Sequence, residues 1–285
     1  MVIPLNSAKK LANVVTVSAQ GGDFTNPVAA VNSISDASAS NPYVVLIGPG
    51  VYTMTETLVM KEYVSVIGTG EQSTKLTGAI MAYSPDASAA IISGADHATL
   101  SNLTVENTGP FNYSSGIWNE NSSPVIQDVT VSVSGVYCYG VLNSSSSPTM
   151  TNMTVTVSGD FVSRGVDNTT SSSPTMTNVQ VTSTTASGTG SSYAVDINNS
   201  SPIMINVTAT ASGGQYTRAV WIEGVSSSAT IKNSTLKGVQ SIVTQDVDPK
   251  AKVAATLLDG AVAGIGLTCV GAYNVNFVEL GTTCR

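Results

Sequence analysis

The chain has 285 residues, of which 42% are hydrophobic and only 10% charged, and its net charge is −7. A chain so rich in Val, Ile and Thr and so poor in charge is not disordered, and its acidity argues against nucleic acid and anionic membranes, which attract basic patches. No apolar run approaches the ~20 residues of a membrane-spanning helix, so no membrane insertion is expected.

The opening residues, "MVIPLNSAKK", lack the charged start and longer apolar core of a signal peptide, and an export signal is expected to have been removed. In "FTNPVAAVNSISDA", Asn26 is placed to cap a helix and Pro27 to fill its first position. Val28, Val31 and Ile34 share one helical face, which predicts an amphipathic helix over 26–36 inside an N-terminal cap of residues 13–40.

From residue 41 to 258 the sequence repeats. The phrase apolar-x-Asn-apolar-x-apolar places its polar slot at Asn102, Asp128, Asn152, Asn178, Asn206 and Asn233, at intervals of 24 to 28 residues. A second register runs Ile91, Ile117, Val141, Val166, Val195, Val220 and Ile242, mostly preceded by Gly or Ala. Helical and leucine-rich repeats are excluded, because Leu, Lys and Glu are scarce and apolar spacing is not helical. Short alternating Val/Ile/Thr/Met runs between Ser/Gly/Asn/Pro clusters read as three strands per unit. Stacking one coil per unit predicts an all-β, right-handed parallel β-helix of about ten coils, each ~4.8 Å above the last. The Asn slot interrupts the alternation, so a left-handed bend is expected there. Its side chains are expected to form a structural ladder bonded from coil to coil in the interior. On that reading the Asn-x-Ser/Thr matches are discounted as glycan sites, since an inward Asn cannot carry one.

Both ends of such a solenoid need covers. Residues 259–285 are the expected C-terminal cap, closed by a disulfide between Cys269 and Cys284, while Cys138 is a core residue. A closed terminal loop fits an oxidising compartment, hence a secreted or cell-surface protein. All 285 residues are expected to form one domain.

The first third carries Gly22-Asp23-Phe24 before the cap helix, Gly50-x-Tyr52 after a strand, and a Gly68-x-Gly70 turn. Over roughly residues 13–80 it resembles the opening of pectin methylesterases, within the pectate-lyase-like β-helix superfamily. The later Ser-Ser-Pro-Thr-Met-Thr-Asn repeats and the Cys-Val-Gly-Ala-Tyr ending resemble secreted bacterial repeat proteins of that superfamily, of unknown function. The resemblance implies the fold. It does not carry the esterase chemistry, whose Asp-Phe-Ile-Phe-Gly-like and Leu-Gly-Arg-Pro-Trp-like segments have no counterpart here. Gln127-Asp128 copies the family's Gln-Asp pair, but Asp128 stands in the ladder slot, and Met54 replaces the family's Glu.

Residues one past the second register should point outward: Trp118, Leu142, Asp167, Asp196 and Trp221, with Arg164 and Arg218 three residues before Asp167 and Trp221. Trp118, Asp167, Asp196, Arg218 and Trp221 form the expected carbohydrate-binding strip. The rings would stack on sugar faces, the carboxylates would accept from hydroxyls, and mutual repulsion would raise one pKa. The loop "ASGTGSS" would overhang the pair. The leading reading is a secreted, non-catalytic adhesion protein that binds polysaccharide or another cell-surface polymer. Two close carboxylates also fit a polysaccharide-active enzyme, either a glycoside hydrolase or a pectinesterase-like protein. A Thr-x-Thr array from Thr130 to Thr210 fits an ice-binding surface. The Asp–Trp strip could also be a plain solvated surface on which Asp pairs and nearby Arg merely balance charge. His97 reads as a turn residue, Asp246 and Asp248 as weak calcium candidates, and no cofactor or transition metal is implied.

Overall fold

A computed structural model describes residues 13–245 and 250–285. The calcium expectation for Asp246 and Asp248 lies outside the described residues. The alternating runs form strands that pair only in parallel, coil upon coil, giving a right-handed parallel β-helix of about nine coils, close to the ten expected, with almost no helix.

Three sheets run the length of the solenoid. In the central coils, 125–127, 149–151 and 175–177 stack as the first sheet, and 129–133, 153–157 and 179–183 as the second. Residues 137–144 and 162–169, then Ser191–Asn198 and Tyr216–Glu223, stack as the third. Val125–Ser144 and Thr149–Thr169 each pass through two corners as one continuous strand. Inside, like residues stack in columns. Leu100, Ile126, Met150, Met176, Met204 and Ile231 line the first sheet, Val105, Val131, Val155 and Val181 the second, and Ile117, Val141, Val166, Val195, Val220 and Ile242 the third, all essentially inaccessible. Burying such a column is the main driving force for stacking.

The Asn slot makes the first corner. Asn102, Asp128, Asn152, Asn178, Asn206 and Asn233 all have φ between 49° and 56°, and the flanking Met150 and Met153 both turn inward. Against expectation, the side chains of this ladder point outward. Asn152 Nδ2 donates to Asp128 Oδ1 at 3.0 Å, and Asn178 to Asn152 and Asn206 to Asn178 at 3.1 Å, all on the surface. A left-handed residue between two inward neighbours projects its Cβ from the convex side of the bend. Burial is therefore no ground for setting aside the Asn-x-Thr matches at Asn152 and Asn206.

The inward ladder is a different set. On the third sheet, Asn119 Nδ2 donates to Asn143 Oδ1 and Asn143 Nδ2 to Asn168 Oδ1, each at 2.9 Å, with all three residues fully buried. Asn168 Nδ2 continues to the Asp196 carbonyl at 3.2 Å. Beside it the backbone N–H groups of Ser122, Ser146 and Ser172 each donate to the next coil's serine, Ser146, Ser172 and Ser200. The repeated Asn-Ser-Ser phrases thus pair most of one another's buried polar groups, with Asn119 Oδ1 and Ser122 Oγ at the first coil of the ladder left without a partner.

One register member shifts: Ile92, not Ile91, pairs with Ile117. Both isoleucines are buried, so apolarity alone does not choose between them. The small residue before the later members has a packing cause. A Cβ on Gly140 would lie 2.4 Å from Val155 Cγ1 and 2.5 Å from the Gly165 carbonyl oxygen.

The cap helix runs Pro27–Asn32, shorter than 26–36. Asn26 Oδ1 accepts from Val28 N and Ala29 N at 2.8 and 3.1 Å, as a cap should. Beyond it, Lys61 Nζ donates to the Asn32 and Ile34 carbonyls, which ends the helix early while Ile34 stays buried. At the other end Cys269 and Cys284 are disulfide-bonded. Cys138 is free and buried, and burial pushes its thiol up to about 12, so it is an inert core residue.

Candidate functional site

The third sheet has the only long, chemically varied side chains arranged in unbroken outward rows among the described residues. Gly140 and Val141 both face the interior, so residues 139 and 142 both face out, and each coil repeats this. One row reads Tyr139, Arg164, Tyr193, Arg218, Gln240, each paired to the next. The adjoining row reads Trp118, Leu142, Asp167, Asp196, Trp221, Val243. Each step is one coil, ~4.8 Å.

Asp167 and Asp196 are thus neighbours, but they are not a solvated pair: they are 6% and 2% exposed. Arg164 bridges them, with Nε 2.9 Å from Asp196 Oδ2 and Nη1 3.4 Å from Asp167 Oδ2. Its Nη1 also donates to Tyr139 Oη at 3.2 Å, and the guanidinium lies 5.5 and 6.0 Å from the ring centres of Tyr139 and Tyr193. Asp196 Oδ1 is buried without a hydrogen-bond partner. Burial drives the Asp196 carboxyl well above the ordinary carboxylate range and the Asp167 charge adds to this, while Arg164 opposes it. Burial also raises Asp167, against the pull of Arg164. One guanidinium cannot neutralise two buried carboxylates, so the pair as a unit is held above the ordinary carboxylate range. Burial likewise pushes the Tyr139 hydroxyl up to about 12.

The two tryptophans are not matched platforms. Trp118 is only 5% exposed, packed with Ala90, Tyr139 and Leu142 under Ala87 and Tyr113. Its indole faces away from the solenoid core but is covered by neighbouring outward side chains and by the 82–89 segment, so the expectation of an exposed ring fails there. Trp221 is half-buried, its ring centre 4.5 Å from that of Tyr193 and 4.7 Å from the Arg218 guanidinium. The "ASGTGSS" loop forms no flap over the pair. Ala186 and Ser187 donate to the Gly159 and Asp160 carbonyls at the corner between second and third sheets. No residue of 186–190 lines the clefts.

There are two clefts on this face. The first, about 330 Å³, is bounded by Trp118, Glu120, Leu142, Arg164, Asp167 and Asp196. The second, about 550 Å³, lies on the far side of Tyr193 and Trp221 and is lined by Arg218, Tyr216 and Gln245 among others. Tyr139 and Tyr193 escaped the sequence reading, as did the bridging role of Arg164. All stand two residues before a second-register valine, the signal that reveals them.

Elsewhere, His97 sits at φ 54° with Nδ1 2.8 Å from Glu62 Oε1 and its ring stacked on Tyr63, a turn residue held at the surface. Among the described residues no group of three His, Cys, Asp or Glu side chains is placed to hold a metal ion, and no helix is long and apolar enough to cross a membrane. The Thr rows of the second sheet are in register, Thr130–Thr154–Gln180–Thr208 and Ser132–Thr156–Thr182–Thr210, with Gln180 interrupting one and Lys237 ending the other.

No protein-family model and no curated protein matches the chain. Solved structures do. Pectin methylesterase PemA from Erwinia chrysanthemi superposes with a TM-score of 0.52 at 13% identity, over 98% of this chain and 93% of that one. The carrot pectin methylesterase gives 0.53 at 13%, over 93% and 90%. A pectin methylesterase solved in complex with a hexasaccharide gives 0.52 at 15%, over 98% and 93%. At this identity the likeness establishes the fold alone, a right-handed parallel β-helix.

Proposed function

We propose that the chain is a single-domain, secreted, non-catalytic protein that binds a polysaccharide or similar cell-surface polymer along the outer face of its third sheet. The observation that carries this reading is the paired rows of Tyr, Arg, Asp and Trp, which run straight along the axis over several coils. A linear polymer laid along the axis can meet aromatic and hydrogen-bonding side chains on successive coils, one every ~4.8 Å. Aromatic rings offer faces to sugar rings, and Arg218 and Gln245 on the second cleft offer donors and an acceptor to hydroxyls. A pectin methylesterase of the same fold was solved with a hexasaccharide, and the terminal disulfide suits an oxidising compartment. Against catalysis stands the burial of Asp167 and Asp196 beneath Arg164.

One observation favours the rival enzyme: Asp167 and Asp196 are adjacent carboxyls, both raised by burial and bridged by one arginine, and acid–base cleavage of a glycosidic bond uses such a pair. Glycan-array binding decides the first reading, and its expected outcome is capture of at least one polymer class, lost in Arg164→Ala. Release of reducing ends or of methanol from pectin-type substrates, abolished by Asp196→Asn, would replace binding by catalysis.

A further inference from the structure

Arg164 and Arg218 stand in the same outward row, two coils apart, with Tyr193 between them. Arg164 is engaged by two carboxylates. Arg218, among the described residues, makes no ion pair: its Nε donates to Gln240 Oε1 at 3.1 Å. Its guanidinium lies 4.7, 5.2 and 5.6 Å from the ring centres of Trp221, Tyr216 and Tyr193. The faces of three rings hold the cation in place, and among the described residues its Nη groups meet no carboxylate. Trp221 lines the same cleft, and its Nε1 is buried without an acceptor. No carboxylate lines this cleft among the described residues.

A guanidinium fixed in a cleft without a carboxylate to balance its charge calls for an oxyanion. We infer that the Arg218–Trp221 cleft is an anion subsite, taking the carboxylate, sulfate or phosphate of an acidic substituent on the bound glycan. This deepens the polysaccharide reading and rests on it. The adjoining cleft has the opposite character, with Glu120 at its rim and the Asp167–Asp196 pair already saturating its one arginine. A polymer charged at every unit would press anions against those carboxylates. The face therefore selects a largely neutral glycan with an isolated acidic group, not a homopolymer of acidic sugars.

The indole N–H resonance of Trp221 reports on the cleft, and Trp118 is the internal control. Titration with glucuronate or glucose 6-sulfate is expected to shift the Trp221 signal and leave that of Trp118 still, whereas glucose has no effect at the same concentration. Arg218→Gln is expected to weaken the response at least about tenfold, and Arg218→Lys to retain part of it. An equal response to glucose, or one unchanged in Arg218→Gln, overturns the subsite. Inorganic phosphate acting as strongly as glucuronate overturns its assignment to a glycan. Hexagalacturonate binding more than about tenfold tighter than glucuronate overturns the isolated-charge selection. If array binding of neutral glycans survives in Arg218→Gln while every anion fails to shift Trp221, this inference falls and the polysaccharide reading stands.

Discussion

The second and third sheets share one interior and differ outside. Both present stacked valines inward, from Val131 to Val181 on one and from Val141 to Val220 on the other. On the second sheet the outward residues are short, Thr130, Thr154, Ser132 and Thr156 among them, and remain exposed or half-buried. On the third they are long, reach across coils, and bury Asp167 and Asp196 beneath one another. An outward position on a solenoid is thus exposed or buried according to the length of its neighbours. Chemistry accumulates where outward residues cover one another, because desolvation strengthens their charges and shifts their protons.

The largest break in this contrast should come from Arg164→Ala. It strands two buried carboxyls, and with the guanidinium itself 27% exposed the expected loss is about 3 kcal/mol, read from urea unfolding followed by circular dichroism. A loss under about 1 kcal/mol would show that solvent reaches the pair and that the third sheet differs little from the second.

Asp196 sharpens the contrast through pH. Its folded pKa is raised above the unfolded value by burial first and by Asp167 second, so the folded chain binds more protons in the window between the two. Stability carried by that proton is present below the ordinary carboxylate pKa, about 4, and is lost as pH rises through the folded value. Asp196→Asn cannot lose a proton. The parent should therefore fall behind the variant in urea midpoint between pH 4 and pH 8, and a difference constant across that range contradicts the assignment.

The smallest effect is expected on the second sheet. Thr156→Ala, at an exposed outward position, should stay within about 0.5 kcal/mol of the parent. A larger cost would mean that the Thr rows hold structure of their own and would narrow the distinction between the sheets.

Much of the architecture was legible before any coordinates. Two registers advancing together imply stacked coils, Asn at the interruption implies a left-handed corner, and Asn-Pro before Val implies a capped helix. Each is a local rule of backbone sterics or side-chain alternation. The in-register row from Trp118 to Trp221 follows from the same period, and so does the adjacency of Asp167 and Asp196.

Other features depended on contacts that no periodicity encodes. Alternation tells in from out relative to one coil, but Trp118 is covered by Tyr139 from the next coil and by Ala87 from the preceding one. The asparagine ladders exchanged places for a related reason. Asn152 sits on the convex side of a bend, whereas Asn143 lies on a flat run facing the core, and the residue type is the same in both. The burial of Asp196, the rise of its pKa and its arginine partner likewise arise from which side chains meet across neighbouring coils. The repeating sequence by itself determined the scaffold, because backbone conformation and apolar burial respond to local pattern. Only the tertiary structure decided which outward groups lost water, because desolvation depends on everything packed around a group and not on its place in the repeat.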